Sequence, residues 1–72
     1  MREVKVGKEY RHFKGDTIKV ICIALDSETL KEQVVYEHNG KTWVRDKEMF
    51  LSKVDKEKYP DIKQTYRFEE IW

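Results

Sequence analysis

Asn39-Gly40 stands between two runs rich in β-branched and aromatic residues, Gln33-Val34-Val35-Tyr36-Glu37-His38 and Lys41-Thr42-Trp43-Val44-Arg45. A two-residue type I′ turn needs positive φ at both central positions, and Asn followed by Gly meets that need with the least strain. The spacing therefore predicts a hairpin over residues 33–45 and also its register. If His38 and Lys41 flank the turn, Tyr36 faces Trp43, Val34 faces Arg45 and Val35 faces Val44. Paired residues share a face of the sheet. One face then carries Val34, Tyr36, His38, Lys41, Trp43 and Arg45, and the other Val35, Glu37, Thr42 and Val44. The second set offers Val35 and Val44 as core, whereas Arg45, His38 and Lys41 make a poor interior. The aromatic and cationic face is accordingly expected to be open to water, with the Trp43 ring at least partly exposed beside Arg45.

The other strands follow from the same kind of pattern. Tyr10-Arg11-His12-Phe13 reads as a strand closed by Lys14-Gly15-Asp16, where Gly15 supplies a positive φ. Thr17 to Leu25 reads as a long central strand. Small Val20, Cys22 and Ala24 are expected to point inward, which sends Ile21 and Ile23 outward, to be covered by Phe68 and Ile71 or by Met49 and Phe50. Asp26-Ser27-Glu28-Thr29 closes that strand with short polar side chains that bond their own backbone. Met49, Phe50 and Val54 have the spacing of a helical or 3₁₀ turn that Asp46 could cap. After a polar loop with the only proline, Pro60, residues 66–71 can return as a last short strand. Five short strands and one helical turn predict an all-β fold, a small and strongly bent SH3-like barrel. At 72 residues the chain has material for one domain, 1–72, and one core.

Composition narrows the function classes. Charged residues make up 40% and hydrophobic residues 39%, enough aromatic and branched side chains to fold. Fifteen basic and fourteen acidic residues leave a net charge of +1, so no global field selects nucleic acid, anionic membrane or an acidic ligand. The longest apolar run, Val20 to Leu25, is far short of the ~20 residues that span a bilayer. The lone cysteine, Cys22, excludes an internal disulfide, and the first residues alternate charge and valine with no apolar signal core. A cytoplasmic chain without membrane contact is expected.

Tyr10-Arg11-His12-Phe13-Lys14-Gly15 opens a series of motifs that continues through Ile23-Ala24, Ser27-Glu28-Thr29, Val34-Val35-Tyr36, Trp43-Val44-Arg45, Met49-Phe50 and Arg67-Phe68 with Ile71. In this order and spacing they resemble a small bacterial family, domain of unknown function 1653, over about residues 7 to 71. The resemblance implies a compact β-barrel-like bacterial domain and carries no activity with it. Asp26 stands where that family usually has His before Ser-Glu-Thr, and Asp46 where it usually has Pro after Trp-Val-Arg. The stretch from Asp55 to Thr65 is longer than the family's.

No residue set points to a reaction. Cys22 sits between Ile21 and Ile23, where a free cysteine behaves as a small hydrophobe, so a thiolate nucleophile with His12 or His38 is disfavoured. Two histidines and one cysteine without close spacing do not make a zinc site, and no cofactor motif is present. Ser27 and Glu28 read first as turn residues and second as a polar rim. Lys8, Arg11, Lys14 and Lys19 form a local basic excess that could hold phosphates, without the glycine-rich loop that would make this specific. Tyr, Trp and Arg on one exposed strand pair are the types that supply interface energy and stack on bases. The leading expectation is a non-enzymatic binding module that presents Tyr36, Trp43 and Arg45, with His12, Lys14, Ser27 and Glu28 as further contacts. Its partner would be a peptide, a protein or single-stranded nucleic acid. The runner-up is a small-molecule-binding or weakly catalytic domain in which His12, Glu28, Tyr36 and Arg45 converge on one pocket. A homodimer is a third expectation.

Overall fold

The computed structural model describes residues 3–71. Its elements are β1 (Glu9–His12), β2 (Thr17–Leu25), β3 (Glu32–His38), β4 (Lys41–Asp46), a one-turn helix α1 (Lys47–Phe50) and β5 (Phe68–Glu70). The strands form one antiparallel sheet in the order β4-β3-β2-β1-β5. Asn39 and Gly40 have φ of 54° and 76°, as the type I′ turn requires. The register is the one the turn dictates: His38↔Lys41, Tyr36↔Trp43, Val35↔Val44 and Val34↔Arg45.

The all-β expectation holds, but the sheet is not closed into a barrel: β4 and β5 are its two edges. It is curled strongly enough for side chains from those edges to meet. The Arg45 guanidinium of β4 lies 5.5 Å from the centre of the Phe68 ring of β5. Right-handed twist over five short strands produces such a curl, and the bulge in β2 adds to it.

That bulge corrects the expected facing of β2. Val20 pairs with Tyr36 and Cys22 with Val35, so Ile21 is the extra residue. One unpaired residue inverts the alternation after it. Ile18 and Val20 point inward before the bulge, and Ile23, opposite Val34, packs on the core after it. Cys22, expected inside, is exposed. Ile21 stays exposed rather than covered by the tail or the helical turn.

The core also lies on the other hairpin face from the one expected. Val34 is fully buried and Tyr36 nearly so, whereas Val44 is 61% exposed. Tyr10, Ile18, Val20, Val34, Tyr36, Phe50 and Phe68 form the central cluster. The Phe50 and Phe68 rings stack at 4.2 Å and 5°, and Tyr10 meets Phe50 edge-on at 5.2 Å. Burying aromatics in stacked and edge-to-face pairs adds about 0.5–1.5 kcal/mol per pair beyond area burial.

α1 follows β4 directly and places Phe50 over the inner face at the Asp46 end of the sheet. The Asp46 side chain does not cap this turn as expected; it accepts a hydrogen bond from the Gln33 amide instead. The segment between α1 and β5 is tied down by Val54 N–H to the Thr65 carbonyl, Arg67 N–H to the Ser52 carbonyl, and the Lys56 ammonium on the carbonyls of Ile62 and Gln64. Gln64 crosses to the Arg11 carbonyl at 2.8 Å.

Candidate functional site

With α1 covering one end of the inner face, the other end, near the Asn39-Gly40 and Lys14-Gly15 turns, is left open as a recess of about 230 Å³. Register and curl together decide what lines it. Tyr36 and Trp43 come from paired positions of β3 and β4, with Arg45 two residues along β4 on the same face. His12 and Phe68 come from paired positions of β1 and β5. Ile18, Asp16 and His38 complete the wall.

Tyr36 and Phe68 belong to both recess and core, with ring centres 5.9 Å apart. Trp43 lies 47% exposed, and its indole N–H points to the His38 carbonyl at 3.3 Å. The ring is thus oriented by its own hairpin while a large part of its surface faces water. Arg45 lays its guanidinium against Phe68, a cation–π arrangement that keeps the charged end near the recess while the stem covers apolar surface. Its Nε is buried and has no hydrogen-bond partner among the described residues. His38 Nε2 lies 3.6 Å from an Asp16 carboxylate oxygen, an ion pair whenever His38 is protonated.

The His12 ring is packed between Phe13 at 4.5 Å and Phe68 at 4.9 Å. Its Nδ1 accepts the Lys14 backbone N–H at 3.2 Å, so the neutral ring carries its proton on Nε2. Burial lowers the His12 pKa from 6.5, with Arg45, Lys14 and Arg67 lowering it further and Asp16 acting against them. A group depressed in the folded state gives up stability as the pH falls through its folded pKa, and its contribution is complete above the unfolded value of about 6.5. Titration of the His12 ring by NMR is expected to give a midpoint below the ordinary histidine value, moving up in Arg45→Gln. A midpoint at or above that value would contradict the described packing.

Three of the expected contacts lie elsewhere. Ser27 and Glu28 sit in the β2–β3 turn at the opposite end of the ladder, and both are exposed. There Asp26 accepts the backbone N–H groups of Glu28 at 2.9 Å and Thr29 at 3.0 Å, while Leu30 N–H bonds the Asp26 carbonyl. The bonds from Thr29 and Glu28 hold the Asp26 carboxyl below the usual carboxylate range. This turn is built from Asp26, which accordingly has a structural role. Lys14 is exposed in the β1–β2 turn, with its ammonium 5.9 Å from the Phe13 ring and 5.6 Å from the Tyr59 ring. It borders His12 through its backbone but does not line the recess.

Asp16, His38 and Phe68 are recess residues that the sequence reading did not select. His38 shares a face with Trp43 by the hairpin register, a signal that was present. Asp16 and Phe68 arrive through the β1–β2 turn and the β5 pairing, which single-strand periodicity cannot place. Among the described residues no group of three His, Cys, Asp or Glu side chains could hold a metal ion. No helix among them is long and apolar enough to cross a membrane.

Fold and recess together define a class: a curled, open, five-stranded antiparallel sheet with an aromatic and cationic recess on its inner face. Residues 8–70 match the family described as protein of unknown function (DUF1653), and the chain belongs to that family. No curated protein and no solved structure matches the chain.

Proposed function

We propose that this domain is a non-enzymatic binding module whose contact surface is the recess formed by Tyr36, Trp43 and Arg45, with His12 at its back. The observation that carries this reading is the presence, two residues apart on one strand face, of a half-exposed Trp43 ring and an Arg45 guanidinium that has no carboxylate partner among the described residues. Exposed tryptophan and arginine at the mouth of a concavity are the side chains on which binding energy concentrates. A peptide or protein partner fits better than single-stranded nucleic acid, which needs a basic groove along the backbone, because the recess lining holds one arginine and one aspartate.

The runner-up gains support from the meeting of His12, Tyr36 and Arg45 in the recess, which makes a small-molecule ligand the second reading. That reading, in its small-molecule and its catalytic form alike, also placed Glu28 in the pocket, and Glu28 lies in the far turn, so only three of its four residues meet. An SH3-like relationship is part of the proposal and is supported by the curl that brings Arg45 and Phe68 together. A bacterial, cytoplasmic setting is likewise proposed, with the free, exposed Cys22 as its support.

Trp43→Ala tests the reading. With about half of the ring already facing water, the substitution is expected to cost under about 1.5 kcal/mol in chemical denaturation. A loss of about 3–5 kcal/mol, the range for a core aromatic, would make Trp43 structural and remove the main support for a binding role.

A further inference from the structure

The recess is rich in donors and poor in acceptors. Arg45 has no hydrogen-bonding or ion-pair partner among the described residues, and its Nε is buried. His12 Nδ1 is taken by the Lys14 amide, which leaves Nε2–H as the ring's donor. The indole N–H of Trp43 is directed at the His38 carbonyl, so this ring offers carbon surface and not a donor. The one carboxylate in the lining, Asp16, stands 3.6 Å from His38. Lys14 and Arg67, outside the lining, are close enough to disfavour a proton on His12, as Arg45 also does. Within the lining Arg45 and Asp16 carry opposite charges, with Lys14 and Arg67 just outside it.

We infer that the recess holds a single carboxylate group, with Arg45 as its ion partner, His12 as a second donor and Trp43 against the carbon skeleton that bears it. This inference rests on the reading of the recess as the ligand site. A guanidinium presents N–H groups in a fork that matches a carboxylate. One unpaired cation suits a monoanion. A phosphate monoester carries about −1.5 to −2 at neutral pH, and its second charge would meet Asp16. A recess of about 230 Å³ also has room for a carboxylate and one small planar or aliphatic group, below the ~300–1,000 Å³ of sites that enclose whole drug-sized ligands. A small free acid and the C-terminal carboxylate of a peptide both present this chemistry.

The test is a titration of the ¹⁵N-labelled domain, followed at the Trp43 indole N–H, with N-acetylphenylalanine, its uncharged amide, benzoate and inorganic phosphate. N-acetylphenylalanine stands for a peptide terminus and benzoate for a free acid. Saturable shifts with one or both acids are expected, with binding of the uncharged amide weaker by about tenfold or more, since a hydrogen-bonded charge accounts for that difference. The stronger of the two acids identifies the source. Arg45→Gln, checked for an otherwise unchanged spectrum, is expected to remove the difference between acid and amide. The acid–amide comparison in the unaltered protein stands even if that variant fails to fold. Equal binding of acid and amide, tighter binding of phosphate, or no saturable shift with either acid would overturn the inference. A partner seated in the recess without a carboxylate would overturn it while leaving the binding-module reading intact, whereas a partner that shifts only residues outside the recess would end that reading.

Discussion

Replacing Phe50 with alanine is expected to destabilise the domain by about 3–5 kcal/mol. Phe50 is fully buried, stacks on Phe68 at 4.2 Å, meets Tyr10 at 5.2 Å and lies 6.2 Å from Tyr36. It is the side chain through which α1 closes one end of the inner face, so its removal opens a cavity between three other aromatic rings. α1 has only four residues and its N-terminal position has no side-chain cap, so without that ring it would be held to the sheet only by Leu51 at the edge of the core and by the solvent-exposed Lys47–Glu32 ion pair at 3.4 Å, which contributes little. Domains have total stabilities of about 5–15 kcal/mol, and the smallest lie toward the lower end. Phe50→Ala should therefore leave a protein that is largely unfolded in mild denaturant. Urea denaturation followed by near-ultraviolet circular dichroism measures this, and a loss below about 2 kcal/mol would show that the cluster repacks without Phe50.

Truncation after Thr65 should have a larger effect. It removes β5, which pairs Tyr10↔Glu70, Arg11↔Glu69 and His12↔Phe68, and it removes the Phe68 ring from the centre of the core. The Arg67 N–H bond to Ser52 and the Phe13 N–H bond to the Arg67 carbonyl go with it. β1 would become an edge strand beside an exposed aromatic cluster, the kind of surface that recruits a second chain. The truncated chain is expected to unfold or to dimerise. An unchanged melting temperature together with a monomer mass in equilibrium sedimentation would contradict the role given to β5.

The elements whose shape depends on local chemistry were legible in the sequence. Asn39-Gly40 determined a turn and, through it, six residue pairings, because the side-chain period of a strand leaves no freedom once the turn is placed. The span of β2 was readable from its run rich in β-branched residues between Asp16 and Asp26. The bulge at Ile21 was not, because an extra residue is defined by the partner strand and β2 contains no glycine or proline to mark it. Which face lies inside is hidden in the hairpin sequence for a related reason. Val35 and Val44 are apolar, but the inner face is chosen by where β1, β5 and α1 deliver Tyr10, Phe68 and Phe50.

Arg45 shows why a charged residue is a weak guide to facing. Its stem lies on the inner side and its guanidinium rests on Phe68, so charge and core occupy one face without conflict. The recess itself depends on the curl. His12 and Trp43 belong to strands separated by two others, and only the approach of the sheet edges brings them to one wall. The expectation that Trp43 is partly exposed beside Arg45 agrees with the structure, although its premise about the open face does not.

The most direct measurement of the central claim is a two-dimensional amide titration of the ¹⁵N-labelled domain against pools of peptides, metabolites and oligonucleotides. A partner of the recess is expected to shift the Trp43 indole N–H and the backbone amides of His12, Tyr36 and Arg45, with the Ser27–Thr29 turn unmoved. Saturable shifts confined to that turn, or to the outward face of Cys22, Val35 and Val44, would contradict it.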